Sequence, residues 1–155
     1  MSPNLRAFLD MIAVSELGAK LIAMSDNGYN VIVGSTTANP ILFHDYSTHP
    51  RRLVQIRPGL ASTAAGRYQL LARYYDAYKK SLNLPDFSPS SQDAIAIQQI
   101  KECRALPDIE SGYIAIAIGK CCRIWASLPG AGYGQHENTL ASLEDAYEKA
   151  GGAFA

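Results

Sequence analysis

The stretch AFLDMIAVSELG, from Ala7 to Gly18, decides the fold of this chain. It continues an apolar stripe with the i, i+3, i+4, i+7 spacing of an amphipathic helix, made up of Leu5, Phe8, Leu9 and Ile12. One further turn of the stripe reaches Glu16, and Gly18 beyond it is a typical C-terminal cap. The pattern predicts a first helix from Pro3 to Ser15, with a carboxyl group at the inner end of its apolar face.

Glu16 has two interpretations at this point. On an apolar helix face its carboxyl group is partly removed from water, which favours the neutral acid and raises its pKa, as a general acid requires. Alternatively, the helix ends earlier and Glu16 lies in water, because glutamate is seldom buried without a partner. Periodicity by itself favours the solvated position.

Length and composition predict one globular domain, residues 1–155, with a sizeable core, since 48% of the residues are hydrophobic and 18% are charged. The 14 basic and 14 acidic side chains balance, which argues against nucleic acid as a partner. No Asp or Glu lies between Tyr46 and Tyr75, whereas five arginines do: Arg51, Arg52, Arg57, Arg67 and Arg73. This run predicts either a cationic surface for an anionic substrate or an ordinary solvated face.

The cysteines and histidines indicate neither a disulfide framework nor a metal site, and we expect no cofactor. The number of cysteines is odd, two are adjacent, and no CxxC motif occurs. The histidines lack the spacing of metal ligands. The residues concerned are Cys103, Cys121, Cys122, His44, His49 and His136.

The N-terminus lacks the basic and apolar regions of a secretory signal, and no stretch reaches the roughly 18 apolar residues of a membrane span. We therefore expect synthesis as a soluble protein in the cytoplasm, without stable membrane insertion. A substrate outside the membrane would require another component for release.

The rest of the chain predicts an α+β fold: a small β-hairpin lobe, a larger helical lobe, and a ligand-binding cleft between them. The hairpin is expected from Tyr29–Val33 and Ile41–Tyr46, with a third short strand at Leu53–Ile56. A helix is expected to begin at Ser62 or Thr63. Further helices are predicted from Ser88-Pro89 to about Cys103, over Ala105–Ser111, over Tyr113–Ala126 and over Leu140–Lys149. The helix over Tyr113–Ala126 is apolar almost all round, which predicts that it is the buried central helix.

Polar and aromatic side chains near the predicted helix start suit a neutral, polyhydroxylated ligand. In Gly66-Arg67-Tyr68-Gln69, Tyr68 offers a flat ring with a hydroxyl group, and Gln69 offers a donor and an acceptor. The alternative is that Tyr68 lies in the core and Gln69 in solvent. The glycine-rich segment Pro129–Gln135 is not a phosphate loop, because no Lys-Ser/Thr follows it. We expect it to form either a wall of the cleft or a flexible turn.

A hydrolase would need a second carboxylate, and three candidates are available: Asp26, Asp45 and Asp76. Asp45, beside Tyr46 near the end of the predicted hairpin, is the most interesting of them. The alternative for Asp45 is that it caps a turn.

Six segments, in this order, closely resemble the phage lambda-type endolysin family: AFLDMIAVSE, GYNVIVG, HDYSTHPR, STAAGRYQLL, DFSPSSQDAIAIQQIKE and IWASLPGAGYGQ. The resemblance covers nearly the whole chain and implies a two-lobed, lysozyme-related fold. It also implies a lytic transglycosylase, which cleaves the β-1,4 bond between N-acetylmuramic acid and N-acetylglucosamine in peptidoglycan. Such an enzyme leaves a 1,6-anhydromuramic end and lyses the host cell.

The resemblance places the catalytic acid in Ser15-Glu16, so that Glu16 protonates the glycosidic oxygen and then removes the proton of the muramic C6 hydroxyl. It implies substrate contacts at the following residues: Asn30, Tyr46, Arg51, Tyr68, Gln69, Tyr133 and Gln135. A separate holin-type protein is implied for release to the periplasm, and we expect a monomer.

This chain departs from the family pattern at two places. Members carry S-E-G where it has Ser15-Glu16-Leu17, and G-Y-D where it has Gly28-Tyr29-Asn30. Either change can alter the surroundings of the catalytic carboxyl group. Two alternatives stay open: a hydrolytic lysozyme with a second carboxylate, and a non-catalytic protein that binds the cell wall.

Overall fold

The computed structural model describes residues 1–155, with seven helices and one two-stranded antiparallel sheet, so the predicted α+β class is confirmed. The elements are α1 (Pro3–Leu17), α2 (Ala19–Ala23), β1 (Val54–Arg57), β2 (Leu60–Ser62), α3 (Ala72–Ser81), α4 (Pro89–Glu102), α5 (Leu106–Glu110), α6 (Ile114–Cys121) and α7 (Leu140–Lys149). The chain divides into two units. Unit 1 comprises Met1–Glu16 and Ala96–Ala155, and unit 2 comprises Leu17–Ile95.

Helix α1 is the most deeply buried helix. Six of its side chains have no exposed surface: Ala7, Phe8, Leu9, Met11, Ile12 and Ala13. The helix runs two residues further than predicted, to Leu17, and Gly18 ends it with a φ of 78°. Glycine adopts this left-handed conformation without the steric cost of a Cβ atom, so Gly18 rather than Ser15 fixes the helix end.

The prediction that Tyr113–Ala126 forms the buried central helix is wrong. Helix α6 ends at Cys121, whose carbonyl oxygen then accepts from the N–H groups of Ile124 and Trp125 in a turn. Only one face of α6 is buried, and Ile116 on the other face is 52% exposed. Apolar composition on all sides therefore did not mean burial on all sides, since Ala and Ile also occupy the outer face.

The predicted hairpin of Tyr29–Val33 with Ile41–Tyr46 is confirmed only as a short antiparallel contact and not as a pair of strands. Only one bridge joins these segments, Val31 to Leu42, while Ile32 bridges to Ala65. Because the short segment divides its backbone hydrogen bonds between two neighbours, no regular ladder forms. The hairpin of this protein is instead β1 with β2, close to the predicted third strand, and it turns at Pro58-Gly59, where Gly59 has a φ of 79°.

Helix α3 begins at Ala72, about nine residues later than predicted. Residues 65–70 form a tight turn in which Ala65 and Leu70 exchange two backbone hydrogen bonds of 3.1 and 2.9 Å. Gly66 and Gln69 have positive φ angles of 83° and 51°, which no helix interior accommodates. Thr63 still contributes to the helix start, since its Oγ1 accepts from the Ala72 N–H at 3.1 Å.

The remaining helices agree with the predictions. Helix α4 begins at Pro89 and α5 lies within the predicted Ala105–Ser111. Helix α7 spans Leu140–Lys149, and Thr139 caps it by accepting from the Ser142 N–H at 3.2 Å. No helix combines the length and apolar character that crossing a membrane requires.

Unit 2 has an aromatic core around Phe87. Its ring centroid lies 6.1 Å from that of Phe43, 4.8 Å from His49 and 5.1 Å from Tyr75. His49 Nε2 is 2.8 Å from the carbonyl oxygen of Leu70, and burial lowers the pKa of its imidazole. His49 is thus a neutral packing residue of this core.

Candidate active site

Glu16 is the second-last residue of α1, and its side chain is partly buried. The Ser127 hydroxyl donates to Glu16 Oε1 at 2.5 Å. Burial raises the pKa of the Glu16 carboxyl group, and the hydrogen bonds from the Ser127 side chain and backbone oppose that rise. The structure therefore gives Glu16 the desolvated position of the first interpretation, with a hydrogen-bond partner that the sequence did not reveal.

Two further polar residues of unit 1 surround Ser127. The hydroxyl oxygens of Ser15 and Ser127 lie 2.8 Å apart. Asn138 Nδ2 donates to Ser15 Oγ at 3.0 Å, and the Asn138 backbone N–H donates to the Ser127 carbonyl oxygen at 2.8 Å. A continuous polar cluster therefore joins the end of α1 to the residue before the N-cap of α7.

The glycine-rich segment of unit 1 is organised by Glu137. Its carboxylate accepts from the N–H groups of Gly130 and Gly132 at 3.1 and 2.9 Å, which lowers its pKa. Tyr133 donates from its hydroxyl to the Arg123 carbonyl oxygen at 3.1 Å, and its side chain remains 58% exposed. Gln135 is exposed. The segment is thus a surface loop whose shape is held by the Glu137 carboxylate, which binds the backbone N–H groups of Gly130 and Gly132.

In unit 2, Tyr68 lies in the interior and is 5% exposed. Its hydroxyl donates to Asp93 Oδ1 at 2.6 Å, and Tyr29 donates to the same oxygen at 2.9 Å. Burial and the negative charge of Asp93 raise the pKa of both tyrosines. Tyr68 therefore occupies the core position of the alternative interpretation, where it supports the turn rather than presenting a free ring and hydroxyl.

Gln69 is the more accessible member of the predicted pair, and it is half-buried at the end of the turn. Its Nε2 donates to the Gly66 carbonyl oxygen at 2.9 Å. This bond stabilises the left-handed backbone of Gln69 and fixes the direction of its amide group.

Asn30 and Tyr46 meet at Asp26. Asn30 is buried, and its Oδ1 accepts from the Asp26 N–H at 2.9 Å. Tyr46 donates from its hydroxyl to Asp26 Oδ2 at 2.6 Å. The aspartate that the family resemblance implies at position 30 would accept the same backbone bond, so an asparagine there keeps this contact without the charge.

The other candidate carboxylates each have a local partner. Asp76 forms a bidentate ion pair with Arg51, which lowers the pKa of Asp76. Asp45 is exposed and accepts from the Ser47 N–H at 2.8 Å, which lowers its pKa and makes it the turn cap of the alternative interpretation. The structure thus raises the pKa of Glu16 and lowers that of Asp45 and Asp76.

Arg51 is therefore held in a surface ion pair, and Arg67 is not solvated as an ordinary surface residue. Arg67 is 3% exposed, its guanidinium donates to the Asn27 carbonyl oxygen, and it lies 5.2 Å above the Tyr29 ring. The run of arginines thus divides between surface and interior and forms no single cationic face.

The three cysteines are free thiols. Burial and contact with Cys103 raise the pKa of Cys121. No group of three or more His, Cys, Asp or Glu side chains is arranged to hold a metal ion.

Sequence reasoning missed four residues that organise these sites: Ser127, Asn138, Asp93 and Gln92. The Gln92 side chain accepts from the Arg67 N–H at 2.9 Å and donates to the carbonyl oxygens of Tyr29 and Phe87. Only Gln92 and Asp93 carried a usable signal, because each is a polar residue in the first two turns of a predicted helix.

Comparison with known proteins gives one consistent result. The family model described as Endolysin matches residues 6–154. The endolysin of Escherichia phage lambda is 57% identical over 148 residues, which cover 95% of this chain and 90% of the relative. The endolysin of Escherichia phage P2 is 51% identical over 154 residues, which cover 96% and 93%.

Solved structures agree with the family match. A bacteriophage lambda lysozyme complexed with a chitohexasaccharide superimposes with a TM-score of 0.92 at 52% identity, over 100% of this chain and 98% of that chain. A second lysozyme structure from bacteriophage lambda gives 0.88 at 53% identity, with the same coverage. The predicted lysozyme-like fold is confirmed, and the chain belongs to the endolysin family.

Proposed function

We propose that this endolysin is a peptidoglycan lytic transglycosylase in which Glu16 is the single catalytic acid and base. The observation that carries the assignment is the position of Glu16: a carboxyl group at the end of a buried helix, with a pKa raised by burial. Such a group holds its proton at a higher pH than a solvated glutamate does, so it can donate that proton to a leaving group.

The reaction balances with one carboxyl group. Glu16 donates its proton to the bridging oxygen as the bond from that oxygen to the muramic C1 breaks. The resulting Glu16 carboxylate takes the proton of the muramic C6 hydroxyl as the C6 oxygen bonds to C1. The enzyme returns to its protonated form, and no water is consumed.

The surroundings of the other carboxylates support this single-acid assignment over a two-carboxylate hydrolysis. Asp26 accepts from Tyr46, Asp45 caps its own turn, and Asp76 pairs with Arg51. A nucleophile or a base for water needs a carboxylate free to reach the sugar, and each of these three is engaged in a structural contact.

We assign the substrate contacts to the polar groups that the structure leaves near the surface, with Gln69, Tyr133 and Gln135 first and Tyr46 and Arg51 next. Asn30 and Tyr68 are assigned a supporting part, because both are buried. The chitohexasaccharide bound to the related lambda lysozyme supports recognition of a glycan strand by this chain.

The wider setting is proposed from the family. Residues 1–155 act as one catalytic domain, as a monomer and without a cofactor. The protein is made in the host cytoplasm and reaches peptidoglycan in the periplasm after a holin-type protein has permeabilised the membrane.

The test is a digest of purified peptidoglycan in water labelled with heavy oxygen, analysed by mass spectrometry. A transglycosylase yields anhydromuramic ends that weigh one water less than hydrolysed ends and carry no label. Labelled reducing ends would overturn the proposal and favour a hydrolytic lysozyme. A digest with Glu16→Gln serves as the control for spontaneous or contaminating cleavage.

A further inference from the structure

A chain of hydrogen bonds leads from Asn138 through Ser15 and Ser127 to Glu16. Its steps measure 3.0 Å from Asn138 Nδ2 to Ser15 Oγ, 2.8 Å between the two serine hydroxyl oxygens, and 2.5 Å from Ser127 Oγ to Glu16 Oε1. All four residues belong to unit 1.

The proton positions in this chain follow from what each group can do. Asn138 Nδ2 also lies 3.2 and 3.3 Å from the carbonyl oxygens of Ser15 and Ser127, which only accept, so this side of the amide is the NH₂ group. The ionised Glu16 carboxylate only accepts as well, so the Ser127 proton points to Glu16. Ser15 must then donate to Ser127, and every bond runs in the same direction.

We propose that Ser127, Ser15 and Asn138 are positioning residues for the Glu16 reaction, and that their one-way chain of donors stabilises the carboxylate form of Glu16 after it has given up its proton. This inference rests on the proposed function, because it assigns the three residues to the step that follows glycosidic cleavage. None of them touches the reacting atoms in this scheme, and they act through Glu16.

The need for such a device follows from the use of one group as both acid and base. Burial favours the neutral Glu16 and so assists the first proton transfer, but the same burial disfavours the charged carboxylate that must exist before the second. Donors that point at the carboxylate offset this cost. Because Ser15 and Asn138 polarise the Ser127 hydroxyl, that hydroxyl is a stronger donor than an isolated serine.

Two parts of the fold, helix α1 and the start of helix α7, hold this series of hydrogen bonds in place. Ser15 precedes Glu16 on α1, so the helix fixes it relative to the acid. Asn138 precedes the N-cap residue Thr139 of α7, and its backbone N–H binds the Ser127 carbonyl oxygen at 2.8 Å. The position of Ser127 beside Glu16 is thus set by backbone as well as side-chain contacts.

The experiment measures the titration of the Glu16 side-chain carboxyl group by carbon NMR, together with kcat and KM against pH, in five variants. Ser127→Ala removes the terminal donor, so we expect the Glu16 pKa and the alkaline limb of the activity profile to move to higher pH. We expect kcat to fall by about ten- to a hundredfold, the worth of one hydrogen bond to a charged group, with KM nearly unchanged. Ser127→Thr keeps the hydroxyl and should restore the parent titration.

Ser15→Ala and Asn138→Ala should shift the same titration in the same direction by smaller amounts, because the Ser127 donor remains but is no longer polarised. Ser81→Ala, at an exposed serine of α3 whose hydroxyl binds only within its own helix, is the matched control and should shift nothing. Should Ser127→Ala fail to fold, Ser15→Ala provides the same measurement one step further away.

An unchanged Glu16 titration in both Ser127→Ala and Ser15→Ala would overturn the inference, even with Glu16→Gln inactive. Full lytic activity in Glu16→Gln would instead overturn the proposed function and, with it, the catalytic meaning of the chain. The two failures are therefore distinguishable, because the titration is measured without turnover.

Discussion

The hydroxyl groups of Tyr29 and Tyr68 donate to the same oxygen, Oδ1 of Asp93, over 2.9 and 2.6 Å. Two buried phenols thus share one charged acceptor, and the Arg67 guanidinium lies 5.2 Å above the Tyr29 ring. This cluster fastens the turn that contains Gln69 to helix α4. Its integrity therefore matters for any role of Gln69 in substrate binding.

Replacement of Asp93 tests that cluster. We expect Asp93→Ala to lower the free energy of unfolding by about 2–4 kcal/mol, because both hydroxyls lose this acceptor in a buried position. Asp93→Asn keeps an oxygen at the site and should cost less. Urea unfolding of both variants is the measurement, with the Tyr29→Phe and Tyr68→Phe pair as the control, since Asp93→Ala should cost little in that background. A loss below about 0.5 kcal/mol in Asp93→Ala would contradict the assigned role.

Two glycines with similar backbone angles allow the cost of a left-handed backbone to be measured separately from the cost of a steric clash. Gly66 and Gly59 have φ angles of 83° and 79°, but a Cβ atom at Gly66 would collide with Gln92, whereas nothing lies within 4 Å at Gly59. We expect Gly59→Ala to cost about 1–2 kcal/mol from the left-handed backbone alone. Gly66→Ala should cost about 1–3 kcal/mol more, because the Gln92 amide must move. Equal losses in urea unfolding would show that the contact with Gln92 has no energetic weight.

Glu16→Gln should abolish lysis without abolishing binding. Removal of the only transferable proton should lower kcat by about a hundredfold to ten-thousandfold, the usual contribution of general acid–base catalysis. Co-sedimentation with purified peptidoglycan should remain at the parental level, because the amide preserves the shape of the side chain. Glu148→Gln, at an exposed carboxylate of α7, is the matched control and should retain full activity. Unchanged lysis by Glu16→Gln would remove Glu16 from the mechanism.

We also expect Glu16→Gln to stabilise the folded state by an amount that depends on pH. A carboxyl group whose folded pKa is raised above its ordinary value of 4.5 carries no penalty below that pH, where it is neutral in both states. As the pH rises from there through the folded pKa, the unfolded chain ionises first and the folded state loses stability. Glu16→Gln cannot ionise, so it should unfold at a higher temperature than the parent at pH 7, and the difference should shrink on acidification to pH 4. A constant difference at both pH values would contradict the raised pKa.

Local patterns predicted the helices that carry their own signals. Helix α7 was predicted with its observed bounds because its amphipathic period is a local feature. Helix α4 was predicted because Ser88-Pro89 marks its start. The predicted hairpin is reduced to one bridge because Val33 and Val31 form backbone hydrogen bonds with Ala64 and Gly66, which lie far along the chain. The apolar pattern predicts helix at Gly66 because it contains no sign of the left-handed backbone of Gln69.

The residues of the candidate site likewise divide into those that the sequence reveals and those that only the fold reveals. Glu16 was found because the apolar stripe leads to it and because the family resemblance assigns it the acid. Ser127 and Asn138 contact the end of α1 across 111 and 123 residues of sequence, and no spacing rule links positions so far apart. The family resemblance predicts Tyr68 as a substrate-binding residue, whereas its spacing leaves the core position open. Its partner Asp93 lies on another element, so only the fold reveals that contact.

The hydrogen bonds of the Gln92 side chain affect the order in which unit 2 folds. Its three bonds join it to Phe87 nearby, to Arg67 across 25 residues and to Tyr29 across 63 residues. Contacts of such high contact order form only after the intervening loops have closed, which is slow in entropic terms. We therefore expect the turn around Gly66 to assemble late, after the local helices, so that substitutions at Gln92 should accelerate unfolding and leave the folding rate almost unchanged.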